Sequence, residues 1–313
     1  MDFVHIPVMV DEILASLDCA PGKIVADCTL GGAGHARAIL EKIIPGGLLV
    51  GMDQDPDAIE TAAARLRPFE SGVRLFQKNY IHLRQALSET GIRRTDGILL
   101  DLGLSWWQIV GSGRGFSFKK DEPLDMRMNP GAPKTAARFV NRLDERALAR
   151  LFYEYGEEPL ARRMARRIVS ARKKKPIETS RELAGIVAAA AGKNSRKSRI
   201  HPATRVFMAL RIAVNRELDV LEEFMGSFID TLSPGGRICV LSYHSLEDRI
   251  VKRALKSLER GCVCPPDFPT CVCGKKPRVR LLSKKARRPS EKEVAANPMS
   301  RSAVMRAAEK LCE

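Results

Sequence analysis

The chain has 313 residues, 44% of them hydrophobic and 29% charged, and a formal net charge of +16, which suits a globular chain long enough for one large domain and a smaller one. No apolar run approaches the ~20 residues needed to span a bilayer, and Met1-Asp2-Phe3-Val4-His5-Ile6-Pro7 lacks the basic start and apolar core of a signal peptide. Membrane-spanning and secreted classes are therefore set aside, and the expectation is a cytoplasmic protein whose eight cysteines stay reduced.

In chain order, Ile24–Leu30 reads as an apolar strand that breaks into Gly31-Gly32-Ala33-Gly34-His35. Nineteen residues past Gly34, a second apolar run, Leu48–Met52, ends at Asp53. A glycine turn lets a ligand approach the backbone closely, and a carboxylate at the tip of the second strand is placed to accept from ribose hydroxyls. This layout belongs to a nucleoside-cofactor site. A dinucleotide would need a third small residue after the turn, whereas Gly34 is followed by His35, Ala36 and Arg37. S-adenosylmethionine needs an acid before the turn, glycines within it and an acid after the second strand; Asp27, the turn and Asp53 supply all three.

Further strands are expected at Val73–Phe76 and Asp96–Asp101, with helices at Pro56–Leu66 and Ile81–Glu89. After Gly111 the pattern becomes a glycine- and charge-rich loop and then helices near Asp144–Tyr155, Pro159–Arg172 and Ser180–Ala191. One long helix is read from Thr204 to about Thr231, ended by Ser233-Pro234-Gly235-Gly236, before a strand at Arg237–Ser242. The fold class is thus α/β: a Rossmann-like, doubly wound sheet carrying an inserted, mostly α-helical domain. The expected divisions are 1–111 for the first part of the core, 112–204 for a helical insertion that recognises substrate, and 205–313 for the second part with a cysteine-rich loop and a basic tail.

Ligands in such sheets lie at the carboxyl ends of the strands. The fourth strand delivers Asp101 through Gln108 to that edge, and the resumed strand delivers Ser242 through Asp248. Each member has a plainer reading: Asp101 caps a turn, His244 is a hydrogen-bonded core residue, Trp106 buries surface. Their joint placement favours function.

Charge is uneven. Residues 1–100 hold 10 Lys and Arg against 13 Asp and Glu, while the remaining 213 hold 43 against 24. Basic clusters fall at Arg162–Lys175, Lys193–Arg199 and Lys275–Arg288. A single run is usually a solvated face; three together point to a polyanion, because phosphate neutralisation with counterion release supplies most non-specific nucleic-acid affinity. No cluster lies on a lipid-seeking amphipathic face, so nucleic acid is preferred to a membrane.

Eight segments together resemble one family. They are His5-Ile6-Pro7-Val8-Met9, the Gly31–His35 turn, Asp101-Leu102-Gly103, Arg114-Gly115-Phe116-Ser117-Phe118, Pro123-Leu124-Asp125-Met126-Arg127-Met128, Tyr155-Gly156-Glu157-Glu158, Thr204–Ile212 and Ser242–Arg249. From His5 to the C-terminus the chain closely resembles the bacterial small-subunit (16S) ribosomal RNA (cytosine-N4) methyltransferase H family. The resemblance implies a class I S-adenosylmethionine-dependent methyltransferase fold, and transfer of a methyl group from S-adenosylmethionine to the exocyclic amine of a cytidine near the ribosomal P site. It implies cofactor contacts at Ala33, Gly34, His35, Asp53, Tyr80, Asp101 and Gln108. The departure is at Trp106 and Trp107, which replace a Ser-Pro pair of the family, with Gln108 retained and Ile109-Val110-Gly111-Ser112-Gly113 following.

Methyl transfer to an amine is an in-line displacement, and alignment of the lone pair is the main task. Cytosine N4 is a poor nucleophile, so acceptors that hold its N–H groups would assist. Asp101 and His244 are the expected catalytic residues, with the proton passing to Asp101, His244 or water. RNA contacts are expected at Trp106, Trp107, Arg114, Phe116, Arg205, Ser242 and His244, a tryptophan stacking on an extruded base. No Pro-Cys dipeptide of the kind used for ring-carbon methylation occurs. The partner is the small ribosomal subunit or its rRNA; a homodimer is compatible with the chain.

Cys262-Val263-Cys264 and Cys271-Val272-Cys273 are separated by six residues. Four thiols on a short loop could bind zinc, although one-residue spacing is less typical and methyl transfer requires no metal. No metal is assigned, with these four cysteines as the zinc candidate against a reduced surface loop. The basic tail is expected to track RNA phosphates, ordering on binding. Two rivals come from other classes: a catalytically inactive RNA-binding protein on the same scaffold, and a nicotinamide-dependent oxidoreductase, disfavoured by Arg37 and the basic half.

Overall fold

The computed structural model describes residues 7–192, 200–262, 264–265, 268–270 and 272–312. The basic run at 193–199 and Cys271 lie outside them.

The described chain divides into two compact units, one of residues 1–103 and 218–313 and the other of residues 104–217. In the first, seven strands form one sheet: β1 (Ile24–Asp27), β2 (Leu48–Asp53), β3 (Val73–Gln77), β4 (Thr95–Asp101), β5 (Leu232–Ser242), β6 (Val279–Leu281) and β7 (Val304–Lys310). Their order is β3-β2-β1-β4-β5-β7-β6. The first five pair in parallel, and β7 runs antiparallel to both β5 and β6. The central strands read as continuous apolar runs because both faces are covered. Strand alternation sends Ala26, Val50, Ile98, Leu100, Ile238 and Val240 to one face and Val25, Leu49, Leu99, Cys239 and Leu241 to the other.

The first face is covered by α4 (Leu83–Glu89), α11 (Glu217–Ser227) and α12 (Ser245–Arg260), through Leu87, Phe224 and Val251. The second is covered by α1 (Val10–Leu17), α2 (Gly34–Ile43) and α3 (Pro56–Leu66), through Leu17, Ile39 and Leu66. In α3, Asp55 caps the amide of Asp57 and Pro56 opens the first turn, a start signal visible in the sequence.

The second unit holds α5 (Trp106–Val110), α6 (Ala136–Arg142), α7 (Glu145–Gly156), α8 (Ala161–Arg172), α9 (Ser180–Ala191) and α10 (Ala203–Asn215). Its own core includes Leu148, Phe152, Met164, Ile168, Leu183 and Leu210. Buried Ala161, Met164, Ala165 and Ile168 at helical spacing leave Arg162, Arg163, Arg166 and Arg167 on the exposed face of α8.

Three sequence expectations are corrected. The single long helix from Thr204 is two helices, because Arg216 turns left-handed at φ 52° and ends α10. Consequently the units divide at 217/218 rather than 204/205, and α10 packs against α7 within the helical unit. The other division falls at 103/104 rather than 111/112. The basic tail is not a segment awaiting a partner: β6 and β7 close the sheet, with Ala307 and Ala308 buried in its two cores. The helix α13 (Glu291–Ala296) lies between these strands.

Candidate active site at the strand ends

Parallel pairing brings the carboxyl ends of β1, β2, β4 and β5 to one edge, where they deliver Asp27, Asp53, Asp101 and Ser242. The glycine turn leads from β1 into α2. Ala33 precedes the helix in a left-handed conformation at φ 59° and makes no side-chain cap bond, so the first amides of α2 are offered by backbone alone. A Cβ on Gly34 would lie 3.0 Å from the ring of Pro7, tighter than side chains normally pack, so the bare backbone fits there without displacing it.

Asp53 braces the turn. Its Oδ2 accepts from the Gly31 amide at 3.0 Å and its Oδ1 from the Asp55 amide at 2.9 Å. Burial pushes this carboxyl up to about 6, against the opposing pull of those amides. Each oxygen keeps further acceptor capacity, as ribose hydroxyls would use. Asp27 accepts from the Thr29 amide at 3.1 Å through Oδ1, while its buried Oδ2 has no hydrogen-bond partner among the described residues. Burial pushes Asp27 up to about 7, opposed by the charge of His35 and reinforced by Asp101 and Asp53. A buried carboxylate oxygen without a donor is costly.

Asp101 is held from three directions. Its amide donates to Thr29 Oγ1 at 2.6 Å, its Oδ1 accepts from the Tyr243 hydroxyl at 2.8 Å, and its Oδ2 lies 3.4 Å from His35 Nε2. At 3.4 Å the His35 contact is too long for a strong hydrogen bond but close enough for charge coupling. Burial alone would lower His35, yet the hydrogen-bonding and charge of Asp101, with Asp27 and Glu293, leave it above its ordinary value. Burial and the Asp101 charge raise Tyr243 far above the ordinary phenol range, so its hydroxyl remains the donor.

Tyr243 was not among the residues singled out in the sequence. The available signal was its position immediately after β5, beside the strand that ends in Asp101. Thr29 is a second omission, hidden because its contribution is to a backbone amide.

The remaining expected residues divide clearly. Tyr80 opens a short 3-10 turn and presents its ring edge-on to Phe224 at 5.3 Å. His244 is the N-cap of α12: its ring accepts weakly from the Glu247 amide at 3.5 Å, and its Nε2 lies 3.1 Å from Glu247 Oε1. His244 thus caps α12. Ser242 is buried at 1% exposure inside the sheet, which removes it as an RNA contact.

In the helical unit, Gln108 is buried and forms a capping box with Ser105: its Oε1 accepts from the Ser105 amide at 3.1 Å, and its amide donates to Ser105 Oγ at 3.2 Å. Arg114 donates to the carbonyls of Arg127 and Met128 at 3.0 and 2.8 Å, and Met126 N–H donates back to the Arg114 carbonyl at 2.8 Å. Phe116 is buried in the helical core. Arg114 joins segments 114–118 and 123–128. Trp107 is 54% exposed, Trp106 half-buried, and Arg205 lies 3.9 Å from the buried Glu158.

The sheet order, its antiparallel last strands and the acids at its strand ends define a Rossmann-like class I methyltransferase. The model of the MraW methylase family matches residues 2–311. A ribosomal RNA small subunit methyltransferase H of Desulfosudis oleivorans is 55% identical over 312 residues, covering 99% of this chain and 100% of that relative. A protein of the same name from Desulforapulum autotrophicum is 53% identical, covering 98% and 99%. A solved rRNA methylase from Streptococcus thermophilus aligns over 97% of this chain and 94% of its own, at 11% identity and a TM-score of 0.41. The chain belongs to the MraW methylase family and is a methyltransferase.

Proposed function

We propose that this chain transfers a methyl group from S-adenosylmethionine to the N4 amine of a cytidine in small-subunit ribosomal RNA, close to the P site. Methylation of that RNA, with S-adenosylmethionine as donor, follows from the family and its relatives. The carrying observation for the chemistry is Asp101: a carboxylate at a strand end, fixed by Tyr243 and Thr29, beside a cofactor-type turn.

The residues fit the donor. The buried, unpartnered Asp27 Oδ2 suits a cationic group, Asp53 suits paired hydroxyls, and Ala33, Gly34 and the start of α2 give close backbone approach. His35 and Tyr80 complete the proposed set within the sheet unit. When bound, the donor supplies an electrophilic methyl carbon on a sulfonium.

The chain's own part is alignment and charge. Asp101 accepts an N–H of the cytosine amine, opposing delocalisation of its lone pair and stabilising the positive charge that builds on N4. The proton lost afterwards passes to Asp101, His244 or water. Tyr243 is a positioning residue that keeps Asp101 aimed. Trp107 offers a ring for base stacking, and the α8 arginines with Arg205 offer cations for phosphates. The helical unit acts in substrate recognition.

The test is transfer of tritiated methyl groups to small subunits lacking the modification, followed by nucleoside analysis. Label in N4-methylcytidine is expected; label in another nucleoside refutes the acceptor.

A further inference from the structure

Between α12 and β6 the chain forms a loop that the methyl transfer does not use. It is pinned at its base: the Arg278 amide donates to the Leu258 carbonyl at 2.8 Å, and a Cβ on Gly261 (φ 67°) would lie 2.4 Å from the Lys276 carbonyl carbon and the Pro277 nitrogen. Above that base, the described residues from 262 to 276 form no helix or strand. Phe268 and Val272 are 50% and 74% exposed, so the loop gains little from burying its apolar groups.

Nevertheless, the thiol sulfurs of Cys262, Cys264 and Cys273 all lie within 4.8 Å of one another, and those of Cys262 and Cys273 are 3.8 Å apart. A disulfide would hold the last pair at about 2.05 Å. Two thiolates bound tetrahedrally at about 2.3 Å from a zinc ion stand about 3.8 Å apart. The separation is that of two ligands of one ion. Thiolate softness also favours zinc over the oxygen-seeking divalent cations.

We propose that Cys262, Cys264 and Cys273 form a structural zinc site that fastens this loop to the end of α12. Tetrahedral closure needs a fourth ligand. The site replaces the hydrophobic packing that the loop lacks. It also holds Lys275, Lys276 and Arg278 in place at the start of the basic run, where the thiolates offset part of the local positive charge. The proposal is independent of the methyl acceptor: the zinc takes no part in the transfer.

The test is metal analysis of the full chain purified under reducing conditions without chelator. About one zinc per chain is expected, released stoichiometrically when the thiols are modified with an organomercurial. Cys262→Ser, Cys264→Ser and Cys273→Ser should each lose most of that zinc, whereas Cys312→Ser retains it. Because a variant that loses the metal can also misfold, the zinc-stripped wild type is titrated with cobalt(II). A thiolate-to-cobalt charge-transfer band is expected, and its displacement by zinc supports the site. Wild type that holds no zinc and gives no cobalt band overturns the proposal, as does undiminished zinc in all three serine variants.

Discussion

The two compact units use polar side chains in opposite ways. At the strand ends of the sheet unit, acids are buried without full satisfaction: Asp27 Oδ2 has no partner among the described residues, and Asp27 and Asp53 are pushed up to about 7 and about 6 by burial. In the helical unit, the motif residues Gln108, Arg114 and Asp125 make hydrogen bonds to neighbouring backbone or, for Asp125, to Arg127 as well. A buried polar group left unsatisfied is a cost the fold has no reason to bear without a ligand; one fully engaged supports architecture. The groups this unit leaves outside, such as Trp107 and the arginines of α8, are those proposed to meet the RNA.

The comparison can be broken at several points. Phe152 is fully buried in the helical core, and Phe152→Ala should cost about 3–5 kcal/mol; a urea midpoint that scarcely moves would show that this core is not what holds the unit together. Tyr243→Phe removes a hydrogen bond to a carboxylate, of order 1.5–3 kcal/mol, so the transfer rate should fall tenfold or more. As a positioning effect, that loss should appear in kcat with the Kd for donor preserved; a change confined to Kd would assign Tyr243 to binding instead.

The raised Asp27 carboxyl fixes a pH dependence. Its folded value of about 7 lies above the ordinary 3.8, so the folded chain holds this proton more tightly than the unfolded one. The associated stability is complete in acid and is lost as pH rises from about 4 through about 7. Binding of a cationic donor should show the reverse trend, tightening from pH 6 to 8 as the carboxyl ionises. Asp27→Asn should flatten both profiles and weaken donor binding at pH 8 by about tenfold; calorimetry across that range checks it, and unchanged profiles would detach Asp27 from the site. The smallest effect is expected on α8. Arg166→Ala with Arg167→Ala should lower the salt slope of RNA binding by up to about 2 and leave donor affinity unchanged.

Much of the sheet unit was readable in the sequence because its signals are local. Apolar runs ending in Asp53 and Asp101, a glycine turn, and Asp55-Pro56 before α3 each act within a few residues. Two failures were non-local. β7 reads as Val304-Met305-Arg306-Ala307-Ala308-Glu309-Lys310, a mixed run whose strand character comes from pairing with β5 some 70 positions earlier. The break at Arg216 carries no glycine or proline, so the 3.6-residue period ran through it unmarked. The strand-end position of Asp101 was legible from its apolar run. The engagement of Arg114 and Phe116 was invisible because their partners, Met128 and the helical core, meet them only in the fold.

The central claim is that Asp101 orients and stabilises the reacting amine. It is tested most directly by single-turnover methyl transfer to unmodified small subunits, comparing wild type with Asp101→Asn at saturating S-adenosylmethionine. The account predicts a fall of about 100-fold or more, the usual scale for removing a charge-stabilising group from a reaction centre. A variant rate close to that of wild type would contradict it and move the chemistry away from the end of β4.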